Sequence, residues 1–95
     1  MKPNFEWDAE KARLNYGKHK ISFEEAITVF SDLNSITQFD PDHSGHEQRF
    51  IDIGLSDQGR LLVVVYTERG SKLRIISCRK ATRNERGIYY AQNNT

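Results

Sequence analysis

The feature that most constrains the fold is an almost uninterrupted apolar run, LLVVVY, at residues 61–66. Such a run is expected of a central strand whose two faces are both covered. The turn residues 56–59 precede it. In the segment 47–55, Ile51, Ile53 and Leu55 alternate with Phe50, Asp52 and Gly54, which predicts a neighbouring strand with one face in the core. A further strand over residues 72–78 should place Leu73, Ile75 and Ser77 on one face and Arg74, Ile76 and Cys78 on the other. Together with a weak strand at residues 36–39, these signals predict an antiparallel meander.

Three helix signals surround this meander. Asp8 is a suitable N-cap for a helix over residues 9–19, and Ser22 begins an S-x-x-E capping box for a second helix. Thr82 begins another capping box, so a last helix should run over residues 83–91. The sequence therefore predicts an α+β fold: an antiparallel sheet with two N-terminal helices and one C-terminal helix, all covering one face of the sheet.

Length and composition favour one small folded domain over residues 1–95. Hydrophobic residues make up 37% and charged residues 28% of the chain, a balance typical of a folded protein rather than a disordered one. Cys78 is the only cysteine, which excludes an internal disulfide and fits the cytoplasm. No apolar run approaches the roughly 20 residues of a membrane helix, so we expect no contact with a membrane.

Charge is distributed unevenly along the chain. Residues 60–87 carry eight cations and two anions, a net charge of +6, whereas the other residues carry six cations and eleven anions, a net charge of −5. The eight cations are Arg60, Arg69, Lys72, Arg74, Arg79, Lys80, Arg83 and Arg86. This polarity indicates that one region binds a polyanion.

The sequence predicts neither a metal site nor a cofactor. His19, His43 and His46 lack a spacing that converges on one helix face, and no third ligand stands near the H-x-x-H of residues 43–46. Phosphate-binding glycine motifs and the G-x-S-x-G motif are absent from the sequence. Any hydrolytic chemistry is therefore expected to proceed without a metal.

The cations themselves suggest phosphate chemistry. Arg69 at a hairpin, Arg79 and Lys80 at a strand end, and Arg83 and Arg86 on the next helix are predicted to converge on phosphates. Cleavage of RNA by the neighbouring 2′-hydroxyl needs only such cations with a proton acceptor and a proton donor.

A plainer interpretation stands beside each of these candidates. The cations are also typical of a solvated face, and Tyr66 of a core aromatic. His19 is suited to the end of a helix, Glu85 to its capping box, and Glu68 to an ion pair with a neighbouring cation.

Spaced motifs over nearly the whole chain resemble the BrnT family of bacterial toxins. They are W-D-x-x-K-x-x-x-N-x-x-K-H from Trp7, I-S-F-E-E-A from Ile21, Ile53-Gly54, Thr67 with Arg69-Gly70, R-I-I-S from Arg74, Arg79-Lys80-Ala81, and E-R-x-x-Y from Glu85. Departures are local: Lys20 stands where a glycine is expected, Cys78 where alanine is usual, and Tyr90 where an acidic residue often follows.

This resemblance implies a RelE-like ribonuclease toxin of a type II toxin–antitoxin system. A BrnA-type antitoxin would bind the toxin in a hetero-oligomer, block it and carry the DNA-binding domain. The resemblance draws the catalytic site from Lys18, His19, Tyr66, Glu68, Arg69, Arg79, Lys80 and Arg83. Further RNA contacts are expected from Arg60, Arg74 and Arg86.

Within that set, phosphate binding is expected from Arg69, Arg79 and Arg83. His19 or Glu68 is the candidate base, and Lys80 or Tyr66 the candidate donor. The function is therefore expected to be metal-independent RNA cleavage that inhibits translation. The alternative is a noncatalytic component of a toxin–antitoxin repressor complex, whose basic surface docks an acidic antitoxin segment and helps to contact DNA.

Overall fold

The computed structural model describes residues 4–40 and 47–93. Its elements, in chain order, are β1 (Asn4–Trp7), α1 (Ala9–His19), α2 (Phe23–Ala26), a 3₁₀ helix (Ile27–Ser31), β2 (Ile36–Asp40), β3 (Arg49–Leu55), β4 (Leu61–Arg69), β5 (Lys72–Lys80) and α3 (Arg83–Asn93). None of the described helices is long and apolar enough to span a membrane.

The five strands form one sheet in the order β1-β5-β4-β3-β2. Strands β2 to β5 pair in an antiparallel manner, as the meander predicted, while β1 pairs with β5 in parallel. The apolar strand β4 lies at the centre of the sheet. These observations confirm an α+β fold with a mostly antiparallel sheet and three α-helices.

Helices cover both faces of this sheet. Leu62 and Val64 point to one face and pack in a cluster with residues of α1, α2 and the 3₁₀ helix, and we call this the front face. Leu61 and Val63 point to the back face, where Tyr89 of α3 joins their cluster. The prediction that all helices cover one face is therefore wrong, because an apolar strand exposes side chains to both faces and both need cover.

A β-bulge changes the alternation of β5. Val65 pairs with Ser77 but Tyr66 pairs with Ile75, which leaves Ile76 as the extra residue. As a result, Ile75 and Cys78 lie in the same front-face cluster. The predicted grouping of Ser77 with Ile75 is wrong, since strict alternation fails at a bulge.

The helix boundaries follow local capping chemistry. The Asp8 carboxylate accepts the backbone N–H of Lys11 at 2.9 Å, and α1 ends at Lys20, whose φ of 59° lies in the left-handed region. Thr82 and Glu85 form a reciprocal capping box, with distances of 2.8 and 3.2 Å. These contacts confirm the predicted starts of α1 and α3.

The second helix differs from its prediction. Ser22 accepts the Glu25 backbone N–H at 3.0 Å, but the Glu25 carboxylate binds Arg60 and Ser56 instead of returning to Ser22. The helix then tightens into the 3₁₀ helix after one turn. Its close approach to the sheet requires Gly54, where a Cβ atom would stand 2.8 Å from the Val29 Cγ1 atom.

Candidate functional site

The predicted site residues lie in two separate regions. Arg69 pairs with Lys72 at the turn of the β4–β5 hairpin, whereas Lys80 pairs with Leu62 at the opposite end. Arg79 stands seven residues beyond Lys72, so roughly 20 Å separate it from Arg69 along the sheet. The structure therefore does not bring Arg69, Tyr66 and Glu68 together with Arg79, Lys80 and Arg83.

The first region follows the outer edge of β5. Strand β1 ends opposite Ile75, so the following residues of β5 have no strand on that side in the described part of the chain. There the side chains of α1 meet β5 in a groove of about 240 Å³. Its lining residues are Lys11, Leu14, Asn15, Lys18, His19, Ile76 and Ser77.

Helix α1 is fixed to this edge by Asn15, which is buried. The Asn15 amide oxygen accepts the Cys78 N–H at 3.1 Å, and its amide nitrogen donates to the carbonyl oxygens of Cys78 and Ile21 at 2.9 and 3.2 Å. The side chain thus replaces the missing neighbouring strand at Cys78. Sequence reasoning missed this residue, although it occupies the asparagine position of the first motif.

We define the basic edge as the cations at this end of β5: Lys11, Lys18 and His19 of α1, which line the groove, Arg79 and Lys80 of β5, and Arg83 at the start of α3, three residues after Lys80. Ser77 in the groove and Lys80 are three residues apart, about 10 Å along the strand. Five of these side chains have no ion-pair partner among residues 4–40 and 47–93: Lys11, Lys18, His19, Lys80 and Arg83.

Arg79 is held differently from the other members of the basic edge. Its two terminal nitrogens donate to the two Glu85 carboxylate oxygens at 2.7 and 2.9 Å. The Arg79 hydrogen bond is the main reason why the pKa of Glu85 falls to about 2. Because Glu85 also caps α3, this pair joins the start of α3 to β5.

The second region is a groove of about 400 Å³ on the front face, which we call the aromatic groove. It is lined by Phe30, Thr37, Phe50, Asp52, Tyr66, Glu68 and Leu73. The Tyr66 hydroxyl donates to the Asp52 carboxylate at 2.9 Å. Burial is the main cause that raises the pKa of Tyr66 and of Asp52, so Tyr66 keeps its proton at neutral pH.

Sequence reasoning missed Asp52 in this groove. It placed Ile51, Ile53 and Leu55 of β3 on the core side and so left Asp52 on the other side. In the structure Asp52 pairs with Val64 on the front face and is only 3% exposed. Strand β4 is apolar on both faces, so its neighbour β3 must also be covered on both faces. This was the signal that the Asp52 carboxylate is buried.

Other predicted cations contact a carboxylate or an aromatic ring. Arg60 forms an ion pair with Glu25, whose side chain is 2% exposed. Arg69 pairs with Glu47, and Arg74 binds Glu6 at 2.8 Å. Arg86 lies over the ring of Tyr90, 5.9 Å from its centroid. These contacts favour structural roles, most clearly for Arg60, whose removal would leave the buried Glu25 carboxylate without its cation.

Of the three histidines considered as metal ligands, only His19 lies among the described residues. His43 and His46 lie outside the described residues. Within residues 4–40 and 47–93, no group of three or more histidine, cysteine, aspartate or glutamate side chains is arranged to hold a metal ion. His19 lies instead among the lysines of the basic edge.

Comparison with known proteins places the chain in a family. A family model described as the ribonuclease toxin BrnT of type II toxin–antitoxin systems matches residues 7–85. The fold is similar to the crystal structure of the Brucella abortus ribonuclease toxin BrnT, with a TM-score of 0.63 and 24% identity over 85% of this chain and 99% of that chain. No curated protein sequence matches the chain. The family match covers most of the sequence and confirms the resemblance seen in its motifs, so the chain belongs to the BrnT family of ribonuclease toxins of type II toxin–antitoxin systems.

Proposed function

We propose that this protein cleaves RNA at the basic edge without a metal ion, and that it thereby inhibits translation in the cytoplasm. We further propose that a BrnA-type antitoxin neutralises it and that its fold is RelE-like. The observation that carries the catalytic proposal is the groove in which Lys11, Lys18 and His19 of α1 lie against β5. None of the three forms an ion pair within residues 4–40 and 47–93. Cations without a carboxylate partner are available to phosphate oxygens.

The chemistry assigns one proton acceptor and one donor. The imidazole of His19 takes the proton from a ribose 2′-hydroxyl, whose oxygen attacks the adjacent phosphorus. The bond from phosphorus to the 5′-oxygen breaks, and Lys80 gives a proton to that leaving oxygen. The products are a 2′,3′-cyclic phosphate and a free 5′-hydroxyl. Lys18 and Arg83 stabilise the charge on the phosphate during this step.

Tyr66 and Glu68 have no part in this reaction scheme. Both belong to the aromatic groove, on the front face and several residues along β4 from the basic edge. His19 and Lys80 are therefore the base and the donor that the arrangement supports, out of the pairs that the sequence left open.

The test measures cleavage of a labelled synthetic RNA by the purified protein in excess EDTA. Cleavage with cyclic-phosphate products is expected, and His19→Gln should lower its rate about 10²- to 10⁴-fold, the usual contribution of a general base. Arg13→Gln is the matched control, because Arg13 is an exposed cation of the same helix that pairs with Glu10 and lies outside the groove. Loss of all cleavage in EDTA, or full activity of the His19 variant, would contradict the proposal.

A noncatalytic component of a toxin–antitoxin repressor complex is the second candidate. It is favoured by one observation: both terminal nitrogens of Arg79 are occupied by Glu85, so this cation supports the fold rather than a phosphate. Induced expression separates the two candidates. Growth arrest that His19→Gln abolishes supports the ribonuclease, whereas growth without arrest supports the noncatalytic component.

A further inference from the structure

We propose that the aromatic groove is a second binding site, which takes an arginine or lysine side chain from a segment of a protein partner. The groove lies on the front face beside the 3₁₀ helix, which contributes Phe30 to its lining. It is distinct from the basic edge, and its binding role does not depend on the proposed ribonuclease function.

The walls of the groove are part of a continuous row of aromatic rings. The centroids of Phe5 and Phe30 are 5.1 Å apart, those of Phe30 and Tyr66 4.9 Å, and those of Tyr66 and Phe50 5.7 Å. Phe39 extends the row at 5.8 Å from Phe50 and is 49% exposed. A row of ring faces attracts both apolar groups and cations.

The floor of the groove holds a buried carboxylate. Asp52 accepts a hydrogen bond from the Tyr66 hydroxyl at 2.9 Å, and Thr37 lies opposite it on the neighbouring strand, with its side chain in the same groove. No cation forms an ion pair with Asp52 among the described residues. A buried carboxylate that only hydroxyl groups satisfy gains from an incoming cation, which would cancel part of the cost of burial.

A second carboxylate stands at the rim. Glu68 is exposed, lines the same groove and has no ion-pair partner among residues 4–40 and 47–93. The groove thus combines two uncompensated carboxylates with aromatic walls. This combination matches the guanidinium or ammonium group of a side chain, whose apolar stem can lie against the rings.

The same charges disfavour RNA as the occupant. Asp52 and Glu68 repel a phosphate backbone, and both point to the front face. Arg79 points to the back face with Val63, so it does not offset the charge of these two carboxylates. A basic protein segment meets no such repulsion.

The proposal can be tested by nuclear magnetic resonance on the full-length, ¹⁵N-labelled protein. The probe is acetyl-Phe-Arg-amide, compared with acetyl-Phe-Glu-amide and with guanosine 5′-monophosphate. The arginine dipeptide should shift the amide resonances of Thr37, Phe50, Asp52, Glu68 and Leu73 in a saturable manner. The glutamate dipeptide should bind at least 10-fold more weakly, and the nucleotide should shift residues of the basic edge instead.

Two variants of exposed residues sharpen the result. Glu68→Gln and Phe39→Ala should each weaken binding of the arginine dipeptide about 2- to 5-fold, the range of a partly exposed cation contact. Glu24→Gln and Leu33→Ala remove an exposed carboxylate and an exposed apolar side chain outside the groove, and should leave binding unchanged. Equal binding of the two dipeptides, or shifts of groove residues by the nucleotide alone, would overturn the proposal.

Discussion

Glu85 serves two structural purposes through one carboxylate. It accepts the backbone N–H of Thr82 at the start of α3 and both terminal nitrogens of Arg79. The sequence predicted the capping role and treated Arg79 as a phosphate ligand. The structure joins the two residues, so the charge state of one side chain bears on the attachment of a whole helix.

The prediction at the scale of residues concerns the stability of the protein at low pH. Because the folded-state pKa of Glu85 is about 2, below its usual value of 4.5, its stabilisation is complete above pH 4.5 and is lost as pH falls towards 2. We expect Glu85→Gln to lower the free energy of unfolding by about 1–2 kcal/mol at pH 7, a value reduced by solvent screening because Arg79 is 43% exposed.

Urea unfolding between pH 2 and pH 7 measures this difference. The difference in free energy of unfolding between wild type and Glu85→Gln should disappear between pH 5 and pH 2. The control Glu24→Gln, which alters an exposed carboxylate of α2, should show no such trend. A difference that stays constant with pH would mean that the pair with Arg79 does not stabilise the charged carboxylate.

At the scale of elements, the attachment of α1 to the edge of β5 determines the position of His19, the candidate base. Asn15 satisfies both backbone groups of Cys78 that a neighbouring strand would otherwise bind. It also binds the Ile21 carbonyl after the end of α1. His19, one turn beyond Asn15, is thereby held against the groove of the basic edge.

The prediction here is that Asn15→Ala destabilises the protein by about 2–4 kcal/mol, because it leaves a buried N–H and two carbonyl oxygens without a partner. Urea unfolding at pH 7 gives the value, and Asn84→Ala, an exposed asparagine of α3, provides the control. If Asn15→Ala lowered the free energy of unfolding no more than the control does, Asn15 would not be the residue that holds α1 on β5.

At the scale of the whole molecule, charge is separated in space as well as in sequence. The basic edge gathers cations along β5, whereas the aromatic groove presents Asp52 and Glu68 on the front face. A partner with an acidic segment and a partner with a basic segment would therefore meet different surfaces. Long-range attraction of this kind mainly accelerates association.

The corresponding prediction concerns the antitoxin and rests on the proposed function. An inhibitory segment that covers the basic edge should compete with RNA, and Arg83→Glu should weaken binding of both, because Arg83 is exposed and forms no ion pair within residues 4–40 and 47–93. Arg79→Glu is a poorer choice, since it would set two carboxylates together at Glu85. Raising the salt concentration should slow association of the complex more than it speeds dissociation.

Measurement of both affinities for Arg83→Glu checks this expectation, with Arg13→Gln as the control. If RNA binding were lost while antitoxin affinity stayed unaltered, and the two still competed, the antitoxin would act from another surface through a conformational change.

The sequence by itself determined the features that depend on neighbours in the chain. Asp8 and Thr82 predicted two helix starts because a cap joins residues three apart. The apolar run over residues 61–66 predicted the central strand, and the spaced motifs identified the family.

Only the tertiary structure decided which residues meet. The bulge beside Tyr66 resets the register of β5, and β1 joins that strand in parallel from the other end of the chain. The antiparallel pairing of β4 with β5 separates Tyr66 and Glu68 from Lys80, and the pairing of β3 with β4 gives them Asp52 as a neighbour. Strand pairing joins residues that are distant in sequence, and it depends on the packing of both faces of the sheet. No local sequence pattern therefore predicts it.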